Sequence, residues 1–262
     1  MPLLFYGKGS QNMKDDFLRK RLLDLANQAD RNGCYTFTDF LNEAEYAEYC
    51  AVKRELPNCG CTVWGGHEDA DRVMLRFGSE EQLGYAEDFP IVCVAVEPAQ
   101  EKFAEALSHR DILGAVMHLG IERAETGDIL TDGKQGWLFC TPAIGDYICR
   151  ELTRIRHTTV HCRITEQLPE AVAPHFERVT VQAASERLDG IIAKLYRISR
   201  GDCLALFRAG KIALGGAVTE NSSYQLKAGE RVSVRGYGKF RYVGIVGSTR
   251  KGNSIIALDR YV

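Results

Sequence analysis

The chain has 262 residues, of which 45% are hydrophobic and 26% charged, and its formal net charge is −2. That is the balance of a soluble globular protein with room for one to three domains, and it excludes a disordered tail or a collagen. The longest purely apolar run, Ile91 to Val96, is far short of the roughly 20 residues a membrane helix needs. The start, Met1-Pro2-Leu3-Leu4-Phe5-Tyr6, has no basic flank and no small-residue cleavage site, so no signal peptide is expected. Nine cysteines, an odd number spread from Cys34 to Cys203, fit a reducing cytoplasm better than a disulfide framework. The net charge conceals a split. Residues 1–180 hold 19 Lys+Arg and 29 Asp+Glu, a balance of −10, whereas residues 181–262 hold 14 and 6, a balance of +8. A basic module on an acidic body predicts a polyanionic partner.

In chain order, Asn12 to Arg31 has helical spacing, with Phe17, Leu18, Leu22, Leu25, Ala26 and Ala29 on or near one face and Gly33 as the stop. Asn42 and Glu45 form a capping pair for a helix expected to reach Leu56, before Pro57. Short strands are expected at Thr62 to Trp64 and Arg72 to Phe77, and a boundary near Gly78-Ser79-Glu80-Glu81. The next segment reads strand (Phe89 to Val96), helix (Asp111 to Leu119), strand (Asp128 to Leu130), an Asp132-Gly133 hairpin turn, strand (Trp137 to Cys140), helix (Pro142 to Leu152) and strand (Thr158 to Ile164). That β-α-β-β-α-β order is the split ferredoxin-like pattern. Leu168 to Pro174 reads as a linker. Beyond it lie a strand (Phe176 to Val181), a helix capped by Ser185 and a helix capped by Ser199 with Asp202. Strands follow at Lys211 to Leu214, Arg231 to Arg235, Arg241 to Val246 and Ser254 to Leu258. The expected fold class is α+β in three small domains: an N-terminal α/β domain (1–82), a ferredoxin-like, RRM-like middle domain (83–172) and a basic C-terminal module (180–262).

The series Glu186-Arg187-Leu188-Asp189, Ser199-Arg200, Phe207-Arg208-Ala209-Gly210-Lys211 and Leu226-Lys227-Ala228-Gly229-Glu230-Arg231-Val232 resembles the S4 RNA-binding domain. Leu214-Gly215-Gly216 departs from the Val-Asn-Gly type of turn usual there. Further segments are similar to the bacterial YlmH family over nearly the whole chain. They are Trp64-Gly65-Gly66, Leu119-Gly120-Ile121-Glu122-Arg123 with Gly127-Asp128-Ile129-Leu130, and Val234-Arg235-Gly236-Tyr237-Gly238-Lys239-Phe240. The resemblance implies a cytoplasmic, non-enzymatic protein. It would bind rRNA and tRNA on the large ribosomal subunit carrying a stranded peptidyl-tRNA, in ribosome-associated quality control. It implies no cofactor, membrane or small-molecule substrate.

The residues themselves are compatible with that role. Lys194, Arg197, Arg200, Arg208 and Lys211 fall on a two-helix face, with Arg187 and Ser199 at helix starts. Arg235, Lys239, Arg241, Arg250 and Lys251 in later loops and strands extend the candidate surface. Arginine suits phosphate because its planar fork donates two hydrogen bonds at once. Folded RNA is read by shape, phosphate and 2′-hydroxyl, so a basic face needs no base code.

Other signals are weaker. Arg187-Leu188-Asp189 also occurs at the catalytic aspartate of pseudouridine synthases, but at a helix start Asp189 reads as a helix-start charge or a salt-bridge partner rather than a nucleophile. Gly236 to Phe240 and Gly247 to Gly252 lack phosphate-loop spacing, and the synthetase-like His118 to Ile121 has no matching lysine loop. Cys59-Gly60-Cys61 with His67 is spaced too tightly for a structural zinc site, so no metal is expected. Trp137 and Phe139 read as core rather than as base-stacking aromatics. His157 beside Arg154 and Arg156 is either an RNA-facing edge or plain surface. Two rival readings remain: an RNA-modifying enzyme targeted by the basic module, and a cell-division-linked interaction protein.

Overall fold

Helical periodicity near the start of the chain becomes helix α1, Lys8–Asn32, which Gly33 ends with φ +60°. The computed structural model describes residues 8–100, 102, 104–166, 168–169, 172, 175–250 and 252–261. Met1 to Tyr6, Lys251, and Glu170, Ala171, Ala173 and Pro174 of the expected linker lie outside the described residues. The chain divides into two compact units, Met1–Ala173 and Pro174–Val262.

In the first unit, strand β1 (Thr36–Phe37) leads to helix α2 (Glu43–Val52). The expected capping box is present. Asn42 Oδ1 accepts from the Ala44 and Glu45 amides, and the Asn42 amide donates to Glu45 Oε2 at 2.7 Å. Helix α2 stops at Val52 rather than Leu56. Pro57 disfavours helical backbone at Leu56, and a turn closed by the Glu55 amide on the Val52 carbonyl intervenes. Strands β2 (Cys61–Trp64) and β3 (Met74–Phe77) complete an antiparallel sheet of order β1-β3-β2. Leu22, Leu25, Ala26 and Ala29 of α1 pack with Tyr49, Val52, Leu75 and Phe77 in its core. The expected boundary at Gly78 to Glu81 carries a one-turn helix, α3 (Glu80–Leu83).

The same unit continues with β4 (Val92–Pro98), α4 (His109–His118), β5 (Thr126–Thr131), β6 (Gly136–Cys140), α5 (Pro142–Glu151), β7 (Arg154–Ile155) and β8 (Thr158–Thr165). The antiparallel sheet has the order β5-β6-β4-β8-β7. Without the two-residue β7, this is the ferredoxin-like arrangement, with the first strand central and both crossover helices on one face. Val94, Val96, Leu138 and Val160 meet Ile112, Val116 and Ile148 of α4 and α5 on that face. The β5–β6 turn is four residues long, not two. Asp132 Oδ1 accepts from the Lys134 and Gln135 amides at 2.8 and 2.7 Å, and Gly133 supplies φ +92°.

The opposite face carries Cys93, Ala95, Trp137 and Phe139 as a second buried cluster. It is covered by the chain itself. Gly66 lies so close that a Cβ there would stand 2.3 Å from the Phe139 ring, and the His67 ring lies 4.9 Å from that ring. Leu168 and Val172 pack against the same cluster. Asp128 fastens the cover, accepting from the Asp71 and Arg72 amides and from His67 Nε2 at 3.0 Å. Arg72 in turn donates to the carbonyls of Thr126, Phe40 and Arg123.

The second unit opens with β9 (Phe176–Ala183), then α6 (Leu188–Leu195), α7 (Arg200–Arg208), β10 (Ile212–Leu214), β11 (Ala217–Val218), β12 (Arg231–Val234), β13 (Gly238–Ser248) and β14 (Ser254–Tyr261). Its antiparallel sheet runs β11-β10-β12-β13-β14-β9. Leu188, Ile191 and Ile192 of α6 and Cys203 and Phe207 of α7 pack on Val181, Val232, Phe240, Ile256 and Leu258. Gly215 and Gly216 have φ of +54° and +85°, the signs a type I′ hairpin turn demands, so Gly-Gly supplies what an Asn-Gly turn would. No helix among the described residues is long and apolar enough to cross a membrane.

Candidate nucleic-acid interface

Five sequence-predicted residues, Arg187, Lys194, Arg197, Ser199 and Arg200, lie along α6 and at the start of α7. Arg187 is the residue before α6, and its side chain makes no capping bond; the expected Ser185 cap is not used. The reason is a long-range pairing. Arg187 bridges to Gln225, the Leu226 amide donates to the Glu186 carbonyl, and the Leu188 amide to the Tyr224 carbonyl, so the chain stays extended two residues longer. The expected Ser199 cap is present. Its Oγ accepts from the Asp202 amide at 3.1 Å and donates to Asp202 Oδ2 at 2.6 Å, which sets Arg200 as the first residue of α7.

Helix α6 ends in a Schellman motif. The Ile198 amide reaches back to the Ala193 carbonyl at 3.1 Å, and the residue between cap and return, Arg197, has φ +54°. Glycine is the default in that conformation, because a Cβ costs roughly 1–2 kcal/mol there. The chain nevertheless places an exposed guanidinium at this point.

Beneath these cations lies Asp189, whose side chain is 3% exposed. It accepts from Arg187 Nε and Nη2 at 3.1 and 3.0 Å and from the Gly190 amide at 2.8 Å, with Arg200 Nη2 at 3.5 Å. Burial pushes this carboxyl up. The bidentate Arg187, the Gly190 amide and the charge of Arg200 outweigh it and hold the carboxyl below its ordinary 3.8. One buried carboxylate therefore holds Arg187 by two hydrogen bonds and draws Arg200, 69% exposed, by charge alone. Asp189 is the salt-bridge partner expected at the helix start.

Two open cavities flank the end of α6, and Lys194 and Arg197 line both. One, of about 570 Å³, adds Arg200, Gly190 and Ile198. The other, of about 600 Å³, adds Tyr196, Glu177 and Arg260. Sequence reasoning missed Arg260 because the last strand was expected to stop at Leu258, whereas β14 runs on to pair Arg260 with Phe240.

Arg208, Lys211 and Arg235 form a second group. Arg208 sits in the last turn of α7, where a cation complements the helix dipole. The Arg235 amide donates to the Lys211 carbonyl at 2.8 Å, so these two residues lie on adjacent backbone. Other candidates fall elsewhere. Lys239 and Arg241 alternate with the buried Phe240, so they stand on the sheet face away from the helices. There Arg241 bonds Asp259 at 3.2 Å and lies over the Phe176 ring. Arg178 shares that carboxylate, and both hold Asp259 below its ordinary range. Arg250 lies in the β13–β14 turn, exposed.

The sites set aside in the sequence are absorbed structurally. Trp137 and Phe139 are buried. His67 is held by Asp128 and, through Nδ1, lies 2.8 Å from the Glu68 carbonyl. Among the described residues no group of three or more His, Cys, Asp or Glu is arranged to hold a metal ion.

Family models agree with the similarity seen in the sequence. One described as "YlmH, N-terminal" matches residues 16–82, and one described as "Putative RNA-binding domain in YlmH" matches residues 85–168. The chain belongs to the YlmH family. Among YlmH relatives it is similar to the ribosome-associated protein quality control protein P2 of Bacillus subtilis (strain 168), with 28% identity over 226 residues covering 85% of this chain and 86% of that protein. The solved structure of the cell division protein ylmH from Streptococcus pneumoniae aligns with a TM-score of 0.47 and 19% identity, covering 63% of this chain and 96% of that one. Both YlmH models fall within the first unit, and the basic cluster lies in the second.

Proposed function

We propose that this protein is a non-enzymatic RNA-binding factor of the ribosome. In this reading the C-terminal module, residues 180–262, is an S4 domain that grips structured rRNA and adjacent tRNA. The target is the large subunit carrying a stranded peptidyl-tRNA, in the cytoplasm. Residues 1–82 and 83–172 set the position of that grip. The name of the Bacillus subtilis relative supports the ribosomal setting. The observation that carries the RNA reading is the row of cations along α6 and into α7, in which Arg187 and Arg200 pair with the buried Asp189 and Lys194, Arg197 and Arg200 line one open cavity. Fixed cations lose little side-chain entropy when a phosphate arrives, and the arginine fork matches phosphate geometry. The mechanism is stabilisation of a bound state, so no catalytic role is assigned to any residue.

The test is co-sedimentation of the full-length protein with large subunits through sucrose at low and high salt. An Arg200→Ala, Arg208→Ala, Lys211→Ala variant should remain folded and leave the subunit fraction. Unchanged co-sedimentation of that variant would sink the assignment.

A further inference from the structure

Sheets of the ferredoxin-like type that bind RNA often stack bases on aromatic residues of their central strands. Here that platform is filled. Trp137 and Phe139 are covered by Gly66, His67, Leu168 and Val172, and Asp128 beside them is consumed by backbone amides. Among the described residues, only the far half of the same sheet face is open. On β8, Thr159, His161 and Arg163 alternate with the helix-facing Val160 and Cys162 and are exposed. On β7, Arg154 is paired directly with Thr159 and so stands on the same face. An open hollow of about 280 Å³ lined by Gln100, His157 and Thr159 adjoins this face.

The charge is as uneven as the shape. Residues 150–165 carry four arginines against one acid, Glu151, within a segment whose overall balance is −10. Arg150 pairs with Glu151 and Arg156 with Glu105 and Asp111, which leaves Arg154 and Arg163 for the half-face. On the open half-face Glu97 is paired opposite His161 and bonded to Arg163 at 2.8 Å. Arg163 keeps 60% of its side chain exposed despite that bond. A cationic half-face in an acidic body suits a polyanion, and the match of residues 85–168 to a model described as RNA-binding selects RNA among polyanions.

We propose that the β7–β8 half-face is a second RNA-binding surface, taking phosphates on Arg154 and Arg163 with Thr159 and His161 between them. The covered aromatic platform takes no base. This rests on the reading of RNA as the partner and adds a contact site remote in sequence from the C-terminal cluster.

The experiment uses the full-length protein and purified large ribosomal subunits, with affinity read across a salt series and RNA-bearing peptides mapped after ultraviolet crosslinking. RNA adducts are expected within residues 154–163. An Arg154→Ala, His161→Ala, Arg163→Ala variant should bind at least about fivefold more weakly. Its log–log salt slope should be shallower by roughly 1.5, the loss of two phosphate contacts. Glu97→Gln removes only an acid and releases Arg163, so it should tighten binding. The inference is overturned if both variants bind as the unaltered protein does and no adduct maps to these strands. If only the Arg200, Arg208 and Lys211 variant then loses binding, the C-terminal reading survives alone. If that variant binds normally while the β7–β8 variant does not, the C-terminal assignment fails and this one stands. Adducts to protein rather than RNA at these strands would likewise overturn it.

Discussion

Arg197 holds a conformation that favours glycine, so its side chain is retained against local backbone preference. Strain of this kind concentrates at functional positions. Arg197→Gly should leave the fold as stable or up to about 1 kcal/mol more stable, as strain relief outweighs the added freedom of the unfolded chain. The same change should weaken RNA binding severalfold. Urea denaturation and a binding titration check the two halves, and loss of stability with intact binding would make Arg197 merely structural. Asp189 acts through its neighbours. Asp189→Asn should cost about 1.5–3 kcal/mol, the value of charge-assisted hydrogen bonds, and should loosen Arg187 and Arg200. Because the folded state holds the Asp189 and Asp259 carboxyls below the ordinary 3.8, their stabilisation is complete above that value and is lost as pH falls through the lower folded values. Denaturation midpoints measured from pH 7 down to pH 2 should therefore fall less steeply for Asp189→Asn than for the unaltered protein. Most of these residues were legible in the sequence as basic positions on helices. Their grouping was not, since the division between Arg200 on the helix side and Arg241 on the far sheet face depends on strand register.

Elements with strong local chemistry were readable: the Asn42 and Glu45 box, the Ser199 and Asp202 cap, and the amphipathic α4 and α6. Strands β1, β7 and β11 have two residues each and exist only through their partners, so no periodicity announces them. The start of α6 was displaced for the same reason, by pairing with residues some forty positions away. The segment after β2 shows how an element without regular structure can organise two sheets. Gly66 has φ +96° and leaves no room for a side chain above Phe139. Gly66→Ala should destabilise the first unit by about 1–3 kcal/mol, the usual range for overpacking a filled site. A lowered thermal midpoint with an unchanged C-terminal unit is the expected result. A neutral effect would mean that the cover over Trp137 and Phe139 yields easily.

At the scale of the whole molecule, charge and packing divide the chain at nearly the same place. The acidic segment and the first unit end within a few residues of each other, and the second unit has its own core of α6, α7 and six strands. The expected division at 82/83 lies inside the first unit, where it would cut Gly66 and His67 away from Phe139, and Asp71 and Arg72 away from Asp128. Burial of Trp137 and Phe139 requires residues from both sides of that division, so sequence periodicity could place the two sheets but not show that one caps the other. The consequence can be tested with fragments. Residues 174–262 alone should fold cooperatively and retain salt-sensitive RNA binding. Residues 83–172 alone should bare the aromatic face of their sheet, which shows as binding of a hydrophobic dye and as self-association, whereas residues 1–173 should do neither. A well-behaved, dye-negative fragment 83–172 would show that the aromatic cluster is closed by Leu168 and Val172 without the N-terminal segment. Stacking of bases on Trp137 and Phe139 would then stay excluded even without the N-terminal segment.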